Sequence, residues 1–201
     1  MIVRLLRDAR GATIIEFAIV CPVMILAIMG LGDLLYQQYV QSILSGVVQK
    51  AGRDSTIQSA ATSTIDGKVV AMMNTLLPAP TQSCPSATAA TWCSTRYTYD
   101  NFTEVAPEPF VDTNNNQRCD NGESFTDVNA NHVWDANPGA SGQGSANAVT
   151  LYSMTITYQR LFPVAGLLGF SPTATIQAAT LLKNQPYAAQ ATTTTIQGNC
   201  P

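Results

Sequence analysis

Residues 10–53 read RGATIIEFAIVCPVMILAIMGLGDLLYQQYVQSILSGVVQKAGR. From Phe17 to Gly32 the stretch carries no charge, and extending it back to Ala12 admits one, Glu16. As a helix, Ala12 to Gly32 spans roughly 32 Å, enough for a bilayer core of about 30 Å. Arg4, Arg7 and Arg10 precede it, so the positive-inside rule puts the N-terminus in the cytoplasm and the bulk of the chain outside. A signal peptide is the main rival. Its apolar region runs about 7–15 residues and ends in a small-x-small site; this run is longer, and Gly30-Leu31-Gly32 is a poor cleavage site. Pro22 and Gly30 are points where the helix could kink or loosen.

The apolar pattern continues past the span. Tyr36, Val40, Ile43, Val47 and Ala51 recur at spacings of four and three, while Gln37, Gln38, Gln41, Ser42, Ser45 and Gln49 fill the other faces. This is an amphipathic stripe. The spacing predicts one helix over about 12–52, its first half in lipid and its second packed on its own domain, with a partner helix as a further candidate. Glu16 is the anomaly. A charge at the centre of a membrane helix costs about 2.5–3.5 kcal/mol, less near the interface. It either snorkels to the headgroups or has a partner.

Downstream, Ile65, Val69, Met72 and Leu76 have helical spacing, which Pro78 and Pro80 stop. Thr81 to Ala90 is rich in Ser, Thr, Ala and Pro and reads as loop. TWCSTRYTYD (91–100) is rich in strand formers, and LYSMTITYQR (151–160) alternates, with Tyr152, Met154, Ile156 and Tyr158 on one face. FPVAGLLGFSP (162–172) reads as a short helix or turn, and TATIQAATLL (173–182) as a last strand. The fold class is therefore α+β: a long N-terminal helix, membrane-spanning in its first half, packed on a small antiparallel sheet. The organisation read from the chain is a leader at 1–11, a transmembrane helix at 12–35, a helical and first-strand region at 36–106, an Asp/Asn-rich insertion at 107–146, closing strands at 147–186 and a loose tail at 187–201.

Charged residues make up 11% of the chain and the net charge is −3, against roughly 25% charged in an average soluble domain. No basic stripe with interleaved aromatics supports nucleic-acid binding. The lone histidine, His132, sits in an Asn/Asp-rich loop, and no GxSxG elbow accompanies it. GLLGFSP has no lysine and is no phosphate loop. An enzyme is not expected. Of five cysteines, Cys21 lies in the apolar run, and Cys84, Cys93, Cys119 and Cys200 form an even set without CxxC spacing. Outside the cytoplasm two disulfides are expected. Four cysteines allow three pairings and sequence does not choose among them; Cys84–Cys93 with Cys119–Cys200 is our working pairing.

DTNNNQRCDNGE spans 112–123. Asp112, Asn114, Asn116, Asp120 and Glu123 fall at positions 1, 3, 5, 9 and 12 of a calcium loop, with the Arg118 carbonyl at 7. Fifteen residues on, DVNANHVWD repeats the first nine positions with Asp127, Asn129, Asn131, the Val133 carbonyl and Asp135. Its twelfth position is Pro138, so a closing carboxylate is missing and Glu123 or Asp127 is the candidate bridge between the loops. Position 6, usually glycine, is Gln117 in one loop and His132 in the other. EVAPEPFV (104–111) cannot form an entering helix, which excludes an EF-hand pair. The alternative is a solvated Asn/Asp loop. Calcium is the expected cofactor.

RGATIIEF resembles the processing site of type IV-like prepilins, with Gly11 as the last leader residue, Ala12 as the new N-terminus and Glu16 as the glutamate at the fifth mature position. The longer stretch 10–53 resembles the TadE-like family of minor pseudopilins of tight-adherence (Flp pilus) systems, and ATIQAATLLKNQPY (174–187) is similar to that family's closing segment. The resemblance implies a pilin-like architecture, cleavage by a prepilin peptidase, and pairing of Glu16 with the N-terminal amine of a neighbouring subunit. It also implies a single-pass protein of the bacterial inner membrane whose partners are other pilins or pseudopilins and the pilus secretion platform. The alternative is a calcium-dependent surface or adhesion module outside any pilus machine.

Overall fold

The computed structural model describes residues 10–56, 62–186 and 195–200, with α1 side chains described from Ile14 onward. Most of the 1–11 leader and residues 187–194 of the tail lie outside the described residues. Helix α1, Arg10–Ser55, runs unbroken through Pro22 for roughly 69 Å. Helix α2, Thr62–Met73, lies against its second half. The strands are β1 (Thr81–Gln82), β2 (Thr91–Tyr99), β3 (Ser124–Asp127), β4 (Ala140–Ser141), β5 (Val149–Gln159), β6 (Thr173–Lys183) and β7 (Ile196–Asn199), with a short helix α3, Val164–Leu167, between β5 and β6.

The main sheet has the order β1-β2-β5-β6, with β4 also pairing β2. β2, β5 and β6 are antiparallel neighbours, Trp92 facing Ile156 and Ile156 facing Ile176. The short β1 pairs β2 in parallel, so the sheet is mostly rather than wholly antiparallel. α1 and α2 cover one face. Tyr152, Met154, Ile156 and Tyr158, the face that alternation assigned, are all buried, and Ala174, Ile176 and Ala178 of β6 join them.

The helical stripe is rotated from its expected position. Leu44 and Val48 are fully buried beside Val40 and Ala51, whereas Ile43 and Val47 are partly buried. The adjacent apolar pairs 43–44 and 47–48 leave two registers open to a period of 3.6, and contact with the sheet selects one. Gly52 lies against Thr180 and Leu182, where a Cβ would collide with both side chains. Between α2 and the sheet, the buried Asp66 accepts bonds from Arg96 (2.6 Å), Ser94 (2.7 Å) and Tyr152 (2.7 Å). Arg96 also stacks over the Tyr152 ring at 4.4 Å. A buried carboxylate satisfied in this way fixes which face of α2 meets the sheet.

Residues 107–146 supply β4, which pairs β2 in the main sheet, and β3, which forms a separate two-stranded sheet with β7. Cys84–Cys93 and Cys119–Cys200 are the disulfides, and Cys21 is free. The tail is not loose throughout. β7 pairs β3 antiparallel, the Cys200 N–H donates to the Glu123 carbonyl at 2.7 Å, and Gly198 lets the Phe125 ring lie directly on the strand. Backbone pairing and a cross-link hold this segment, which is why its lack of an apolar pattern was misleading.

Candidate functional site

Two regions hold the residues nominated above. The first is the start of α1. Gly11 and Ala12 lie within the helix, and their side chains are outside the described residues. Glu16 is exposed, flanked by exposed Ile15 and Phe17. None of the apolar window of this helix is buried within the protein. Most of the sixteen uncharged residues Phe17–Gly32 are exposed, a surface that water disfavours, and the helix is long and apolar enough to cross a membrane. The first charge beyond the window, Asp33, is buried and paired with Arg160 at 2.6 Å. Burial, with the charge of Asp33 and the nearby Tyr36 adding to it, pushes the Tyr158 hydroxyl up to about 12. The head thus begins where the apolar run ends.

The second region is the insertion, where the two loops have the same internal geometry. In the first, Asp112 accepts the N–H of Asn116 (3.2 Å) and of Gln117 (2.8 Å), and Asn116 Oδ1 accepts the N–H of Arg118 (2.9 Å). In the second, Asp127 accepts the N–H of Asn131 (3.2 Å) and of His132 (2.7 Å), and Asn131 Oδ1 accepts the N–H of Val133 (2.7 Å). Asn114 and Asn116 donate to Asp120, as Asn129 and Asn131 donate to Asp135. Every nominated oxygen-bearing side chain of each loop therefore meets its own loop's partners.

The turn at position 6 forms without glycine. Gln117 (φ 62°) and His132 (φ 66°) are left-handed, as are Asn115 (φ 58°) and Ala130 (φ 57°) at position 4. A left-handed non-glycine residue costs about 1–2 kcal/mol, so each loop stores strain that its hydrogen bonds offset.

Closure of the second loop corrects the sequence reading. Glu123 stays with the first loop: its carboxylate accepts the Thr113 N–H (2.8 Å), the Thr113 hydroxyl (2.8 Å) and the Asp120 N–H (3.0 Å). Asp127 accepts bonds within its own loop. Neither bridges. The equivalent of Glu123 is Glu108, which accepts the Val128 N–H and the Asp135 N–H, both at 2.9 Å. Those donors occupy positions 2 and 9, as Thr113 and Asp120 do. Glu108 comes from before both loops and is held by its own N–H to the Asp135 carbonyl (3.0 Å) and by Trp134, whose indole donates to its carbonyl (2.8 Å). Glu108 lies in EVAPEPFV, nineteen residues before Asp127, on the side opposite to position 12 of the loop pattern.

Glu108, Glu123 and Asp127 are 2%, 4% and 0% exposed. Backbone N–H groups hold Glu123 below the usual carboxylate range, those of Asp120 first and Thr113 next. Hydrogen bonds from Asn114 and then Asn116 do the same for Asp120. The donor set of each loop is all oxygen: two aspartates, two asparagine amides, a main-chain carbonyl and a glutamate at the closure. This is the chemistry of a hard divalent cation and not of zinc. Among the described residues no three His, Cys, Asp or Glu side chains converge as a metal cluster; the amides and carbonyls would have to complete the coordination.

A membrane-anchored α+β head with an oxygen-rich loop pair is the class these features define. Residues 11–53 match the model of the family described as TadE-like protein. The match takes in Gly11, Glu16, the apolar run and the packed half of α1, and it does not extend to 174–187. No curated protein and no solved structure matched the chain.

Proposed function

We propose that the protein is a minor pseudopilin of a tight-adherence (Flp-type) pilus or secretion system, with an assembly role and no catalysis. The observation that carries this reading is the register of Gly11 and Glu16 at the head of an exposed apolar helix that matches the TadE-like family. Cleavage after Gly11 by a prepilin peptidase would free an ammonium at Ala12. The Glu16 carboxylate, exposed on α1, is then available to the ammonium of a neighbouring pilin or pseudopilin, and opposite charges compensate each other in low dielectric. The protein is anchored in the bacterial inner membrane, N-terminus inward, with its head toward the secretion platform's outer side. Glu16→Gln tests the role: it should leave insertion and the head intact and impair piliation. Normal piliation in that variant would return Glu16 to a snorkelling residue.

In the same reading, calcium orders the insertion. Asp112, Asn114, Asn116, the Arg118 carbonyl, Asp120 and Glu123 would hold one ion. Asp127, Asn129, Asn131, the Val133 carbonyl, Asp135 and Glu108 would hold another. Between Asp112 and Asp135 five carboxylates face one arginine, and a cation relieves that repulsion. A ligand selective for the native state adds RT ln(1 + [L]/Kd), about 2.7 kcal/mol at 100-fold saturation. Titration calorimetry and melting with and without calcium test it, with Asp112→Asn and Glu108→Gln each expected to remove one binding event. No heat and no melting shift would leave a hydrogen-bonded Asn/Asp loop pair.

A further inference from the structure

The β5–β6 connection carries a feature that neither the span nor the loops use. LFPVAGLLGF, residues 161–170, contains no charged and no polar side chain, and the whole stretch from 161 to 182 is free of charge. Leu161, Leu167, Leu168 and Phe170 are 55%, 72%, 66% and 68% exposed. Four large apolar side chains in one ten-residue loop form a patch that water disfavours.

Its position says what covers it. The loop packs on α1 at the outer end of the apolar run: a Cβ at Gly32 would lie 3.2 Å from the Phe162 ring, and one at Gly30 would lie 3.9 Å from Val164. Leu31, Leu34 and Leu35 of α1 are exposed at the same height. The Asp33–Arg160 pair sits at the base of the loop. Chain in a bilayer must satisfy its own backbone groups, and the outer part of this loop pairs four of its amides internally. The N–H groups of Leu167, Leu168, Gly169 and Phe170 donate to Pro163, Val164, Gly166 and Ala165 carbonyls at 2.8–3.2 Å. Gly169, at φ 79°, makes the reversal that closes this turn.

We propose that residues 161–170 are a second membrane contact, a wedge that dips into the leaflet on the head's side beside α1. The partner is a lipid surface, continuous with the one that covers the span. The wedge would fix the tilt and rotation of the head on its anchor, since two points of contact define an orientation that one helix leaves free. The inference rests on the reading of α1 as a membrane span.

The test uses the full chain with Cys21→Ser, reconstituted in phosphatidylethanolamine/phosphatidylglycerol vesicles. A cysteine with an environment-sensitive dye is placed at Leu168, at Ile25 within the span, or at Gln49, an exposed site on the packed half of α1. Lipids carrying a nitroxide on the acyl chain are the quencher. The expected result is loss of emission at Leu168 and Ile25 and none at Gln49. Quenching at Ile25 without quenching at Leu168 would overturn the wedge and leave the span standing. No quenching at either would remove the span and the wedge with it. A blue shift at Leu168 that ignores the nitroxide and grows with protein-to-lipid ratio would mean that a second copy covers the loop, which also overturns the proposal.

Discussion

The two halves of α1 are one helix with opposite surroundings. From Val40 to Ala51 a stripe of residues is buried against the sheet and α2; in the apolar window nothing is buried. The outer half alternates glutamine and serine with apolar residues, and the inner half, Glu16 apart, does not alternate. The helix is continuous through both halves, Pro22 included, so secondary structure says nothing of the difference. What differs is which solvent the side chains are built for, and composition alone records it.

The sharpest way to break this comparison is to truncate one side chain in each half. Leu44→Ala should destabilise the head by about 2–5 kcal/mol, because the cavity opens in the fully buried layer. Ile19→Ala, in the exposed half, should leave the melting of the head unchanged in detergent. Equal effects would mean that the window packs on protein after all. At the boundary, Arg160→Met strips the partner from the buried Asp33. The expected cost is about 2 kcal/mol, less than for a fully buried pair because Arg160 keeps some contact with water; denaturant melts compared with Asp33→Asn/Arg160→Met would separate the unpaired charge from lost packing.

Much of this was readable in the chain because it depends on local spacing. The two long helices follow from a period of 3.6, β5 from a period of 2 and β2 from its strand-forming residues, and Tyr152, Met154, Ile156 and Tyr158 fell on the buried face as alternation requires. Leu44 and Val48 were missed because neighbouring apolar pairs make the helical register ambiguous until the sheet is present. β7 was missed because backbone pairing to β3 and the Cys119–Cys200 link leave no apolar pattern. Glu108 was missed because it closes its loop from nineteen residues before Asp127, and a search for a closing carboxylate at position 12 looks the other way.

Smaller effects test the insertion, where strain replaces burial as the quantity at issue. Gln117→Gly should stabilise by about 1 kcal/mol, since glycine occupies φ 62° without steric cost; a loss would mean the Gln117 side chain has a structural role. Acid should act locally. Asp120 and Glu123 are held below their ordinary values of 3.8 and 4.5, so their contribution is present above those values and is lost as pH falls through the lowered ones. Trp134, stacked edge-on to Phe110 at 5.7 Å, should report that loosening by fluorescence in a Trp92→Phe background before the head unfolds. A single transition shared by both regions would join the insertion to the core.

The anchor itself is tested most directly by the mass of the mature N-terminus, measured on protein taken from membranes of a host with the prepilin peptidase. The account predicts a chain that begins at Ala12, with α1 intact behind it and Glu16 at its fifth position. A mature membrane protein that retains Met1, or one that begins at Asp33, would contradict it.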